Sequence, residues 1–401
     1  MRPEWTDEQL AASVRDELLG DILPFWRSRA VDERRGGFIG QMSNDLRIQD
    51  DAPKGLILNA RILWSFSAFY RFTRDDMDRA LARRAYEYLT DHFLDGQYGG
   101  YFWELDADGN VLDDKKKIYG QAFCIYALAE YYTTFNELQA LRQAVEVFDL
   151  IEARARDSQY GGCFEVMSRD WRPCEDMRLS DKDMNEKKSM NNHLHVLEGY
   201  TNLVRVLPEA RCAQSLRDLI GLFQRRIVNT EQTHLQHFFD EAWTPRSDSY
   251  TFGHDIEGSW LLCEAAGVLG DRRLSDEVRA LAVKMAGAVL DEGLDKDGGL
   301  LYEGRDGRII NPNKEWWPQA EAVVGFYNAW QLTRNAAFRE AAVQCWQFIK
   351  DKVVDHTNGE WFWCIRRDGT PDPDQPKVSA WKGPYHNGRC CLEIIGRSDD
   401  S

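Results

Sequence analysis

The sequence predicts an all-α fold, an (α/α)6 barrel of twelve helices with short β-hairpins between repeats, as one domain spanning residues 1–401. Three observations predict it: a glycine–aromatic motif recurs at near-constant spacing, each copy is flanked by one amphipathic and one nearly apolar helical segment, and no repeat is a polar cap.

The motif copies are GGF at 36–38, YGGYFWE at 98–104, YGGCFEV at 160–166, GGLLYEG at 298–304 and NGEWFWC at 358–364, with LQHFFDE at 235–241 as a degenerate copy. Their second positions fall at 37, 100, 162, 236, 299 and 359, giving intervals of 63, 62, 74, 63 and 60 residues. Each copy reads as a turn and a short aromatic strand, often closed by a second turn such as ADGN or RRDGT. Ahead of each copy lies a charged amphipathic segment, roughly 7–30, 76–95, 136–156, 209–230, 272–293 and 334–354. After each comes an apolar one, roughly 56–72, 118–134, 191–206, 254–270, 317–332 and 386–396. Two such helices per repeat imply concentric rings, apolar helices inside and amphipathic ones outside. An open solenoid would carry polar terminal repeats, so closure is favoured.

Composition narrows the function. A net charge of −16 leaves no basic tract dense enough to follow phosphates, so no nucleic-acid partner is expected. The longest basic run, Lys115 to Lys117, follows Asp113 and Asp114 and reads as a solvated loop. Nine scattered cysteines without a CxxC spacing read as reduced thiols, and no metal or other cofactor is expected. The charged start, MRPEWTDEQLAASVRDELL, reads as helix rather than a secretory leader, and no run of ~18 apolar residues suggests a membrane span. A cytoplasmic monomer acting on a small molecule is the expectation.

Each apolar helix carries its unusual polar or aromatic residues near its start: Arg61, then Tyr119 and Gln121, then His195, His254, Trp317 and His386. If all six inner helices run the same way, these residues meet at one mouth, where six helix N-termini favour an anionic intermediate. In NNHLHVLEGY, Asn191, His195 and Glu198 share a face, whereas His193 points elsewhere. In GHDIEGSWLLCEAA, His254 and Glu257 repeat the His-x-x-Glu spacing, and a carboxylate there is expected to orient the imidazole and raise its pKa. His92, His234, His237 and His356 read as satisfied polar residues, and the hairpin aromatics as packing. Trp317, just before Pro318 at a helix start, and Trp381 read as stacking surfaces for a ligand. Imidazoles rather than paired carboxylates dominate the titratable groups. That suits proton abstraction beside a carbonyl, as in epimerisation or aldose–ketose isomerisation of a reducing sugar, better than glycoside hydrolysis.

MNNHLHVLEGYTNL, GHDIEGSWLLCEA, KEWWPQAEAVVGFYNA and WKGPYHNGRCCLEI together resemble the cellobiose 2-epimerases of the N-acylglucosamine 2-epimerase superfamily, over essentially the whole chain. The resemblance implies the same barrel and cofactor-independent inversion at C2 of the reducing-end glucose of a β-1,4-linked disaccharide. Cellobiose would become glucosyl-mannose and lactose epilactose. It implies His254 and His386 as the catalytic pair and His195 as an aid to ring opening. Arg61, Tyr119, Asn191 and Glu257 would bind or orient, Asp183 would hold the non-reducing sugar, and Trp317 and Trp381 would stack on the two rings. A mannobiose 2-epimerase, a monosaccharide aldose–ketose isomerase and an N-acylglucosamine 2-epimerase are the alternatives within the superfamily.

Overall fold

The computed structural model describes residues 5–399; residues 1–4 and 400–401 of the expected domain and helical start lie outside the described residues. The chain alternates outer and inner helices. The first outer helix is α1 (Asp7–Glu17) continued into α2 (Leu23–Arg29) through a π-helical segment, Leu18–Ile22. The inner α3 (Leu56–Thr73) follows, then the pairs α4 (Asp76–Tyr88) with α5 (Ile118–Phe135), and α6 (Leu138–Leu150) with α7 (Met190–Val206). The pairs α8 (Ala210–Leu222) with α9 (Phe252–Leu269), α10 (Arg272–Glu292) with α11 (Trp316–Thr333), and α12 (Ala336–Phe348) with α13 (Tyr385–Asp399) complete the ring.

Hydrophobicity sorts the layers. In α5 every residue from Ile118 to Tyr131 is buried, whereas α4 buries only one stripe, including Leu81, Ala82, Ala85 and Tyr88. Each inner helix packs on the next, and α13 returns to α3, so the ring closes. Close approach demands small residues: a Cβ on Gly199 would lie 2.6 Å from the Ala122 carbonyl oxygen of α5. The inner helices α3, α5, α9 and α11 end on a left-handed residue followed at once by the cap of the next outer helix. Arg74 (φ 58°) precedes Asp75, whose side chain accepts from the Met77 amide, and Arg334 (φ 58°) precedes Asn335, which caps at Ala337.

The predicted hairpins are shorter than expected, and much of their pairing runs between repeats. The two residues before each inner helix join the next repeat's aromatic strand: Lys54–Gly55 with Glu104–Leu105, Lys116–Lys117 with Val166–Met167, Lys188–Ser189 with Phe238–Phe239, and Lys314–Glu315 with Cys364–Ile365. Ser249–Thr251 pairs with Glu303–Arg305, and a bridge from Met42 to Val378 joins the first repeat to the last. The glycine pairs adopt left-handed φ, 72° and 69° at Gly99 and Gly100. The bridge partners Val354–Trp361 show that Gly359 is a first-position glycine and that Glu360 (φ 61°) stands second. The pairing of Val228 with Leu235 likewise puts Thr233 (φ 65°) and His234 at the motif in the fourth repeat, two residues earlier than the aromatic pattern suggests.

The basic run at 115–117 is not a solvated loop. Lys116 is fully buried, its Nζ on Asp95 at 3.0 Å, and Lys117 donates to the Leu179 carbonyl at 2.9 Å. The Lys116–Asp95 pair belongs to a recurring clasp in which a lysine just before the inner helix binds an aspartate just after the outer helix: Lys54–Asp32, Lys188–Asp157, Lys314–Asp295 and Lys377–Asp355. The fourth repeat substitutes His234, bonded to Asp255 at 2.7 Å and stacked on Tyr250. No helix among the described residues is long and apolar enough to cross a membrane.

Candidate active site

A cavity of roughly 280 Å³ opens where the inner helices begin, lined by Arg61, Tyr119, Asp183, Asn191, His195, His254, Glu257, Trp317, Trp381 and His386. Gln121, also expected at this mouth, is instead fully buried and bonds both backbone groups of Tyr101. Tyr119, Asn191, Trp317 and His386 each stand second in their helices, and His254 third. A common direction for the inner helices therefore brings residues from six repeats to one place. Trp317 packs against both His254 and His386, with ring centroids at 4.7 and 5.6 Å.

Each imidazole uses Nδ1 for support, leaving Nε2 for a ligand. His195 Nδ1 donates to Glu198 at 2.9 Å, as the helical spacing predicts. The other His-x-x-Glu pair does not form. His254 Nδ1 meets the Thr251 hydroxyl at 2.5 Å, while Glu257 accepts from Arg389 at 2.8 Å. The carboxylate that supports His386 is Glu321 of α11, at 2.7 Å. Thr251 reaches His254 because it immediately precedes the first turn of α9.

The carboxylates are gathered by Arg389, which sequence reasoning did not single out. Its guanidinium donates to Glu198, to the Tyr385 hydroxyl, to Glu257 and, at 2.7 Å, to Glu321. Trp260 Nε1 donates to the other Glu321 oxygen at 3.0 Å. One ligand atom each of Glu257, Glu321 and His386 lies within 4.8 Å of the others. The cation that both carboxylates meet there is the Arg389 guanidinium.

Electrostatics also depart from the expected raised imidazoles. Burial depresses His386 to about 3, with Glu321 opposing and the charges of Arg61 and Arg389 adding to the effect. His254 falls well below its ordinary value through burial and the neighbouring His237, His195 and His386. His195 is lowered by burial despite Glu198. Burial and the charge of Glu321 push Glu257 well above the usual carboxylate range, against the pull of Arg389. For Glu198 burial is outweighed by Arg389 and His195, which hold it at about 2. Burial thus favours the neutral form of all three imidazoles.

Arg61 donates to the Trp381 carbonyl at 2.6 Å and to Tyr119 at 3.1 Å, while among the described residues its buried Nε has no protein partner; nor has the buried Asn191 Oδ1. Asp183 sits in the loop between Met167 and Lys188, where its Oδ2 accepts from the Ser180 amide and hydroxyl. That loop also brings Leu179, Ser180 and Lys182 to the cavity. Trp363 lines the cavity too, contrary to the packing role expected of hairpin aromatics. Glu315, which accepts from Trp317 Nε1 at 3.2 Å, is raised to about 7 by burial. His193 is structural: Nδ1 donates to the Ser189 carbonyl and Nε2 accepts the Cys163 amide.

Comparison with known proteins places these features in a family. The family model for N-acylglucosamine 2-epimerase matches residues 37–390. The chain is 45% identical to a cellobiose 2-epimerase of Bacteroides fragilis over 97% of its own length and 100% of that protein. It is 39% identical to one from Dictyoglomus turgidum, covering 97% and 98%. The solved cellobiose 2-epimerase of Bacillus thermoamylovorans superposes with a TM-score of 0.92 at 37% identity, covering 97% of this chain and 100% of that one.

Proposed function

Because the chain belongs to the N-acylglucosamine 2-epimerase family and is a carbohydrate epimerase, we propose that its reaction is inversion at C2 of the reducing-end glucose of a β-1,4-linked disaccharide, cellobiose first and lactose as well. The observation that carries this reading is the pair His254 and His386, on separate inner helices and against one tryptophan, each with Nδ1 supported and Nε2 left for substrate.

The pyranose opens first, since only the free aldehyde makes the C2 proton acidic; His195, oriented by Glu198, assists. One of His254 and His386, neutral and therefore a competent base, removes the C2 proton to give a cis-enediolate. The other delivers a proton to the opposite face. That delivery requires a proton the ligand-free imidazoles do not hold, so the acid partner takes one up from solvent before the step. General acid–base catalysis contributes about 10²–10⁴-fold, so Arg61 and the helix N-termini must also stabilise the enediolate oxygens. Trp317 and Trp381 offer stacking faces, and Asp183 and Asn191 accept sugar hydroxyls.

Incubation with cellobiose in heavy water, followed by NMR, tests the reading. Deuterium at C2 with a mannose at the reducing end supports it; a ketose or free glucose as main product overturns it.

A further inference from the structure

Behind His254 lies a second cavity, roughly 380 Å³, lined by Glu165, Met177, Met184, His237, Thr251 and His254 among others. The two chambers share Leu179, Lys182, Asp183, Asn191, His254 and Tyr302. Between them runs a short chain of hydrogen-bonding groups. His237 Nε2 accepts the Thr251 amide at 3.2 Å, so its neutral ring carries its proton on Nδ1. The Thr251 hydroxyl lies 3.3 Å from that same Nε2 and 2.5 Å from His254 Nδ1. For His254 to use Nε2 as a base, its Nδ1 must carry a proton and donate it to the Thr251 oxygen. The hydroxyl proton is then left to point at His237 Nε2.

We propose that His254, Thr251 and His237 form a proton relay that exchanges the catalytic imidazole's proton with the second cavity while substrate remains bound. The inference rests on the epimerase reading above. The proton taken from C2 arrives at His254 Nε2; the Nδ1 proton passes to the Thr251 oxygen, the hydroxyl proton to His237 Nε2, and the His237 Nδ1 proton leaves into the second cavity. One proton enters and one leaves, and every group is neutral again with its proton on the opposite atom. The reverse sequence recharges His254 as an acid; once Nε2 has given up its proton, the starting tautomers are restored. This gives a use to the half-buried His237, whose desolvation lowers it to about 4, so that it passes a proton on instead of holding it.

Such a site has a need for a relay. Each inversion leaves one imidazole with a proton and the other without, and the bases must be reset before the next turnover in the same direction. Thr251 is a positioning residue and makes no substrate contact. Thr251→Val keeps the β-branched shape and removes the hydroxyl; Thr251→Ser restores it; His237→Phe removes the terminal acceptor. Turnover of cellobiose and the initial rate of C2 deuterium uptake into recovered, uninverted cellobiose in heavy water are measured for each. Both Thr251→Val and His237→Phe should lower kcat by about tenfold, less than loss of the base itself, with KM unchanged and less deuterium in the recovered cellobiose. Thr251→Ser should restore both. Wild-type kcat and deuterium uptake in Thr251→Val overturn the relay, as does a lowered kcat with unchanged uptake. A wild-type protein that does not invert C2 at all defeats the underlying reading instead.

Discussion

Of the three imidazoles, His386 is bound most tightly into its surroundings: Glu321 fixes Nδ1, and Arg61, Arg389 and burial keep it neutral. His386→Asn removes the base while keeping an amide that can still face Glu321. We expect kcat to fall by at least about 10²-fold with the circular dichroism spectrum unchanged; retained turnover would refute the assignment. The depressed imidazoles also set the acid limb of the rate profile. Because the folded-state values of His254 and His386 lie below 6.5, lowering the pH through that value leaves both as bases. A plot of kcat/KM, which reports the free enzyme, should therefore show no acid limb at the ordinary imidazole value of ~6.5. An acid limb centred there would show that the free site is wetter than described. What was legible at this scale follows from spacing. Asn191, His195 and Glu198 share a face and are read correctly from one helix. Glu321 stands 65 positions from its imidazole, and Arg389 stands 132 from Glu257, so no local pattern announces either.

The two-helix repeat is legible because burial asks for an apolar stripe on the outer helices and an almost wholly apolar surface on the inner ones, and the observed boundaries agree with the expected ones within a few residues for nearly every helix. The clasp between repeats is not legible as such, since a lysine beside aspartates looks like surface charge until its partner's position is known. Lys188 shows what the clasp does: Nζ reaches Asp157 Oδ2 at 2.6 Å, the Gly161 carbonyl at 2.8 Å and the Glu241 carbonyl at 2.7 Å. It ties the end of an outer helix, a glycine turn and the next repeat together just ahead of α7. Lys188→Ala leaves the buried Asp157 unpaired and should destabilise the fold by about 3 kcal/mol, measured by urea denaturation. A loss under about 0.5 kcal/mol, as for an exposed pair, would mean that water replaces the ammonium. The π-helical ends of the outer helices, such as Leu89–Phe93 and Ile151–Ala155, left no signal in the apolar spacing.

Across the molecule, closure makes the first and last helices neighbours. α1 packs on α13, Trp26 Nε1 donates to Glu360 at 2.7 Å, and Trp361 Nε1 donates to Glu17 at 2.8 Å. Met42 and Val378 continue the strand pairing across the same junction. Closure could be inferred from the missing polar caps, but the residues that seal it could not, because they pair across more than 300 positions. The place where biosynthesis starts is therefore arbitrary with respect to the architecture. Circular permutation follows: fuse the two ends of the chain through a flexible tether and cut the exposed turn between Arg74 and Asp75, at the far end of α3 from the cavity. The rearranged polypeptide should assemble into the same wheel and turn over cellobiose at a comparable rate, its old seam now an ordinary spoke.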